Sequence, residues 1–211
     1  MSGIPFFKTV RQQDLKQFEL LLQASRVVSY LPGEVVLQKG DADNWLYFLL
    51  KGKLAVYVDQ ALQGDLINYV TPGEVFGDLA QLLGKARTAT VIADSAARES
   101  MVLALDVNVF GPLNSVSPIS RETKLAYYRN TAHNLRWKLE VYRSQHLQHE
   151  LANKHRQIKL YFGPKDTYEE LASLYEQSLA LALLLTEWNK EFGVLSAEMI
   201  KQSQPIVESQ A

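Results

Sequence analysis

A chain of 211 residues, 47% of them hydrophobic, has room for one large domain, or one domain with an extension, around a sizeable core. Its formal net charge of −1 gives no general attraction to nucleic acid or anionic membrane. The absence of cysteine excludes disulfides and thiolate chemistry, and the reducing cytoplasm is the simplest compartment to expect. Residues 1–8 lack the apolar core and cleavage site of a signal peptide. No uncharged run approaches the ~20 residues needed to cross a bilayer; the apolar stretch at 178–186 is far too short.

In chain order, residues 9–25 predict an amphipathic helix. Leu15, Phe18, Leu21 and Leu22 recur at helical spacing, with Arg11, Lys16 and Glu19 off that face. From Val27 the period shifts towards two. Val27, Val28, Tyr30 and Val35 to Leu37 are strand formers broken by Pro32-Gly33. A turn at 40–44 leads into an apolar run at 45–50, and a turn at 51–53 into the alternating Leu54, Val56 and Val58. Gln63-Gly64-Asp65 predicts another turn, followed by a strand at 66–70. Val91 to Ala93 and Ser100 to Leu105 close the series. Short strands with a turn about every ten residues predict a sandwich, barrel or jelly roll.

Between those strands stands Phe76-Gly77-Asp78-Leu79-Ala80-Gln81-Leu82-Leu83-Gly84-Lys85-Ala86-Arg87-Thr88-Ala89-Thr90-Val91. It reads as a tight turn, one helical turn, a loop and a strand that opens on arginine. Gly77 lets its backbone come close to a ligand. The amides of Asp78, Leu79 and Ala80 open a short helix, where unpaired N–H groups attract anions. Arg87 brings a permanent cation with a planar donor fork. Amides plus arginine suit a phosphate, and the Asp78 carboxylate suits a sugar hydroxyl. Thr88 adds a hydroxyl for a phosphate oxygen or a guanine edge.

This segment resembles the phosphate-binding cassette of the cyclic nucleotide-binding domain family, without gaps over sixteen positions. It departs at Asp78, where the family usually has Glu, and at Ala86, where it usually has Pro. Residues 30–41, 46–54, 71–77 and 104–113 resemble the family's other strand pairs, its approach to the pocket and its exit into a hinge helix. The resemblance covers about residues 10–140. It implies an α+β architecture: an eight-stranded antiparallel β jelly roll with a helix before it and helices after it. It further implies cAMP, or possibly cGMP, held by Gly77, Asp78, Leu79, Ala80, Arg87 and Thr88. A β-roll domain at 1–115 and a helical region at 116–211 follow as the expected division.

After Pro118 the pattern is helical. Leu125, Tyr128, Ala132, Leu135, Leu139, Tyr142, Leu147, Leu151 and Ile158 predict one long helix over about 121–161, continuous or broken once. Such a stripe needs a partner helix. In catabolite-activator-type members that helix lids the ligand and pairs with its copy, so the resemblance implies a homodimer. Phe162-Gly163-Pro164 ends the helix, and Asp166 or Thr167 caps a second one running to about Phe192 with Glu169 and Glu170 in its first turn. Gly193 is expected to stop it, with a last short helix at 196–202 and a loose tail at 203–211. The two helices form an antiparallel hairpin, and with a second copy a four-helix arrangement.

Other chemistry is weakly signalled. No helix-turn-helix or wing follows the long helix, although residues 121–161 are basic and that face can touch DNA or RNA phosphates nonspecifically. A solvated face or an acidic protein partner is the plainer reading. His146, His149 and Glu150 share a helical side, but solvent-facing or interhelical histidines are the commoner use of that pattern than a metal site. No nucleophile, base and oxyanion hole are arranged together, so no enzyme is expected. Trp45, Trp137 and Trp188 are expected as core or interface anchors. The resemblance thus implies a regulatory protein, expected in the cytoplasm, that binds cAMP or cGMP and signals to a protein partner. The alternatives are a ligand-free assembly scaffold of the same fold and a regulator that uses the basic helix on nucleic acid.

Overall fold

Strand formers punctuated by Gly and Pro turns do build a β-roll. In the computed structural model, which describes residues 4–58, 66–113 and 117–203 with side chains to residue 191, eight strands form two four-stranded antiparallel sheets. They are β1 (Ser25–Tyr30), β2 (Val35–Leu37), β3 (Trp45–Lys51), β4 (Leu54–Tyr57), β5 (Leu66–Val70), β6 (Val75–Phe76), β7 (Thr90–Ala93) and β8 (Ser100–Asp106). One sheet runs β1-β8-β3-β6 and the other β2-β7-β4-β5. The fold is the expected α+β jelly roll with flanking helices. The turn predicted at Gln63-Gly64-Asp65, the tail after residue 203 and the boundary between 115 and 116 lie outside the described residues.

The continuous apolar runs of β3 and β8 follow from burial on both faces. Side chains alternate across a strand. Leu46, Phe48, Leu103 and Leu105 therefore face one core, while Tyr47, Leu49, Val102 and Ala104 face the interior of the roll. The outer core is closed by the N-terminal helices, α1 (Pro5–Gln13) and α2 (Leu15–Gln23). Phe6 and Phe7 are each 1% exposed and pack edge-on to each other, with Phe7 edge-on to Phe48 and Phe6 stacked on it. Burying a side chain of that size stabilises by about 1.5–3 kcal/mol.

The single opening helix expected at 9–25 is two helices. Pro5 starts α1, where its missing N–H is no loss. Asp14 interrupts, because its carboxylate caps α2 by accepting from the amides of Lys16 (2.9 Å) and Gln17 (3.2 Å). Leu15 is consequently turned out to solvent.

The helical half departs further from expectation. α4 (Arg121–Gln145) ends well before residue 161, and α5 (Tyr168–Ser203) runs straight through Gly193. A helix-interior glycine costs only about 1 kcal/mol and does not stop a helix by itself. The N-terminal signal of α5 is as predicted, with the Thr167 hydroxyl accepting from the Glu170 amide at 3.2 Å. Between the helices, residues 146–158 fold back along α4 in successive turns and a short 3-10 segment, Lys154–Gln157. Leu151 and Ala152 are buried there, whereas Leu147 is exposed. The stripe that α4 does present, at Ala132, Leu135, Leu139 and Tyr142, packs on Leu181, Ala182, Leu184, Leu185 and Trp188 of α5 and on Leu79 and Leu82 of the cassette helix. The partner helix that the stripe demands is thus supplied by the same chain.

Electrostatics fix the fold-back. Arg136 donates to the carbonyls of His155 (3.1 Å) and Ile158 (3.3 Å). Glu140 accepts from Arg156 (2.6 Å) and Arg143 (3.1 Å), and the buried His155 ring lies 3.4 Å away. The Arg156 hydrogen bonds above all, with help from His155 and Arg143, pull the Glu140 carboxyl down to about 2 from its ordinary 4.5. Because the folded value is depressed, the stabilisation is complete above about pH 4.5 and is lost as pH falls towards 2. Glu140→Gln is therefore expected to flatten the acid limb of a stability–pH profile in that window, as read by urea denaturation at stepped pH. The drop stays modest, because the carboxylate is about one-third exposed and water screens it.

Candidate functional site: a capped cavity over the cassette

The cassette begins where β6 ends. Gly77 adopts φ +78 and caps α3 (Asp78–Leu83), and Gly84 closes that helix in the left-handed region. The main-chain N–H groups of the first turn have no acceptor inside the helix. A cavity of about 110 Å³ opens here, and all six residues expected from the sequence line it: Gly77, Asp78, Leu79, Ala80, Arg87 and Thr88. Leu37, Val56, Ile67, Val70 and Val91 give it an apolar wall. Gly77 is also sterically required. A Cβ at this position would lie 2.7 Å from Arg87 Nη1 and 3.3 Å from the Tyr47 ring. With strain at positive φ added, Gly77→Ala is expected to cost about 1–3 kcal/mol in thermal denaturation.

Arg87 departs from the expected picture of a cation awaiting an anion. Its side chain is 2% exposed, and four of its five N–H donors are taken by the protein. Nε and Nη2 engage the two carboxylate oxygens of Asp43, with Nε–Oδ2 at 3.2 Å. Nη1 donates to the Gly77 carbonyl at 2.7 Å and Nη2 to the Trp45 carbonyl at 2.6 Å. The physical reason is desolvation: a guanidinium this deep must be paired and hydrogen-bonded. The 40–44 turn delivers Asp43, whose own backbone is tied to the cassette by Gln81 Nε2 donating to its carbonyl (2.6 Å). Asp43 was missed as a site residue, since a turn aspartate looks like turn chemistry alone. The neighbouring Tyr47 hydroxyl, lifted to about 12 by burial and then by Asp43, stays protonated.

The roof of the cavity was also only partly foreseen. Lys138 and Tyr142 of α4 and Leu185 and Asn189 of α5 line it. Asp78, 3% exposed, is met by Lys138 Nζ at 3.3 Å, and the same ammonium donates to the Val75 carbonyl at 3.3 Å. Tyr142 donates to Asn189 Oδ1 at 3.2 Å, its hydroxyl raised to about 12 by burial. Lys138 could be placed on the inward side of α4 by its spacing from Leu135 and Tyr142, but nothing in its type pointed at the cavity.

The other candidates fall elsewhere. Of the three tryptophans, Trp188 is 1% exposed, Trp45 is half-buried under Arg26 (4.2 Å to the ring) and Trp137 is 64% exposed, so Trp137 is no core anchor. His146 and His149 lie against Trp188, with ring centroids at 5.9 and 4.6 Å. Among the described residues no cluster of three or more His, Cys, Asp or Glu is arranged for a metal, and no helix is long and apolar enough to cross a membrane.

A two-sheet β-roll that carries a glycine-opened helical turn and a buried arginine beside a capped cavity has the form of a domain that can enclose a small ligand. Residues 27–113 match the cyclic nucleotide-binding domain family. Among characterised proteins, it is similar to the cAMP-dependent protein kinase type II regulatory subunit of Drosophila melanogaster, 30% identical over 95 residues. It is similar also to the cGMP-dependent protein kinase of Plasmodium berghei, 32% identical over 77 residues. Those stretches are 44% and 36% of this chain but only 24% and 8% of the two proteins. A putative cyclic nucleotide-binding protein from Geobacter metallireducens has the same fold, with a TM-score of 0.50 at 16% identity, covering 63% of this chain and 89% of that one.

Proposed function

We propose that this chain is a non-enzymatic sensor of the cytoplasm that binds cyclic nucleotide, cAMP ahead of cGMP, and passes the binding event through α4 and α5 to a protein partner. The observation that carries this reading is the convergence of Gly77, Asp78, Leu79, Ala80, Arg87 and Thr88 on one cavity whose roof is made by the two helices that would signal. The cyclic phosphate would meet first-turn amides, the Thr88 hydroxyl and the remaining donor of Arg87. The sugar would meet Asp78, and the base would lie along the apolar wall beneath Tyr142 and Leu185. A ligand shifts such a system only by its differential affinity for the two arrangements of the helices. Calorimetry of the wild-type chain with cAMP and with cGMP tests it; no heat with either nucleotide overturns it.

A second reading is favoured by the Arg87–Asp43 pair. That pair cancels most of the arginine's charge within the protein and suits an assembly scaffold of the same fold that takes no nucleotide. A melting temperature indifferent to both nucleotides would decide for it. The homodimer rests on the family resemblance alone, because α5 already covers the α4 stripe. Light scattering that returns the mass of one chain removes it from the reading. DNA and membrane have no part in this function. A gel shift that survives physiological salt would restore nucleic acid as a partner.

A further inference from the structure

Lys138 stands at the junction of the cavity and the signalling helix. It lies on α4, sixty residues downstream of Asp78, yet its ammonium reaches the Asp78 carboxylate and the Val75 carbonyl, each at 3.3 Å. These two acceptors bracket Phe76-Gly77, so the lysine spans the turn that opens the cassette. Asp78 is 3% exposed, and Lys138 is the cation paired with it. An aspartate here is one methylene shorter than glutamate and has fewer torsions with which to find a sugar hydroxyl. A carboxylate that short works as an acceptor only if its oxygens are held in direction. An ammonium bound to one oxygen does that while leaving the other to accept. Lysine has three donors, of which two are used here.

We propose that Lys138 is the positioning residue for Asp78: it aims the carboxylate at the sugar of a bound nucleotide and thereby makes α4 respond to what the sugar carries. The inference rests on the nucleotide reading of the cavity. It adds a specific route, since a hydroxyl that bonds Asp78 changes the partner set of a side chain rooted in the roof. A lysine that merely clamps α4 to the roll would have the same coordinates, but its loss would weaken every ligand alike. A positioning lysine affects only ligands that carry the hydroxyl.

The experiment is calorimetry of the full chain with cAMP and 2′-deoxy-cAMP, on wild type, Lys138→Met, Lys138→Gln and Lys138→Arg. Wild type is expected to prefer cAMP by about tenfold, the size of one hydrogen bond to a charged group. In Lys138→Met that preference should shrink to within about twofold, and Lys138→Arg should keep most of it. Lys138→Gln retains a donor for the Val75 carbonyl but no charge; it should lose the preference while remaining folded, which covers the case in which the methionine variant unfolds. Equal weakening of both ligands with the tenfold ratio intact overturns the inference and leaves the clamp. A wild-type chain that binds both ligands equally overturns it too, with nucleotide binding preserved. A wild-type chain that binds neither overturns the nucleotide reading itself, and this inference with it.

Discussion

Arg87→Ala is expected to lower stability by about 3 kcal/mol or more, quite apart from any effect on ligand. The guanidinium is the shared partner of the Asp43 carboxylate and the carbonyls of Gly77 and Trp45. Removing one member of a buried pair costs about 3–5 kcal/mol, because the other charge stays behind without compensation. Asp43 retains 27% side-chain exposure, so water relieves part of the loss and the low end of that range applies. For a chain of this size, 3 kcal/mol corresponds to a fall in melting temperature of about 6–12 °C. Asp43→Ala should cost at least as much, since it strands a cation that is only 2% exposed. Replacing both, as Arg87→Met with Asp43→Leu, should recover a good part, and the double-mutant cycle isolates the pair. A single-variant cost below about 1 kcal/mol would show that the pair does not hold the cassette. The expectation also bears on binding studies. Loss of nucleotide binding in Arg87→Ala confuses a missing contact with a collapsed loop, so wild-type titration and the Lys138 series are the cleaner probes.

The β-roll was legible because its physics is local. Turn glycines and prolines, alternating strand formers and the doubly buried runs of β3 and β8 each state their own structure, and all of the expected strands in the described residues form. The cassette was legible for the same reason: Gly77, Asp78 and Arg87 lie within eleven residues and carry their chemistry in their types. What escaped depends on partners far apart in sequence. Asp43 and Arg87 are 44 residues apart, and Asp78 and Lys138 are 60 apart; neither spacing marks them as a pair. The long helix was misjudged where tertiary contacts overrode a repeating pattern. Leu147 and Leu151 keep helical spacing beyond Gln145, yet Arg136, Glu140 and Arg156 fold that segment back on α4. The antiparallel turn of α5 back onto α4 was legible from the Gly163-Pro164 break and the Thr167 cap, and α5 covers the stripe of α4; the expectation of a second copy rests on the resemblance and not on that stripe.

That cover is where the last large effect lies. Trp188 is 1% exposed and sits between Tyr142 (5.9 Å) and His149 (4.6 Å), amid Leu135, Leu139, Leu151, Leu181, Leu184 and Leu185. Trp188→Ala is expected to cost about 3–5 kcal/mol, the transfer of a large ring plus the cavity it leaves. The matching substitution on the outer side of α4, Trp137→Ala at 64% exposure, should stay within about 0.5 kcal/mol. The contrast tests whether α4 and α5 form one packed unit docked on Leu79 and Leu82 of the cassette helix. If they do, hydrogen exchange in Trp188→Ala should rise first along α4, α5 and α3, with β3 and β8 still protected. Similar costs for the two tryptophans would mean that the hairpin is loosely attached, and a loose roof over Asp78 could not carry a signal away from it. A large cost confined to Trp188 would instead mean that the cavity's roof and the hairpin's core are one cooperative body, so that a change at the cavity has to be felt along the part of α5 that packs on α4.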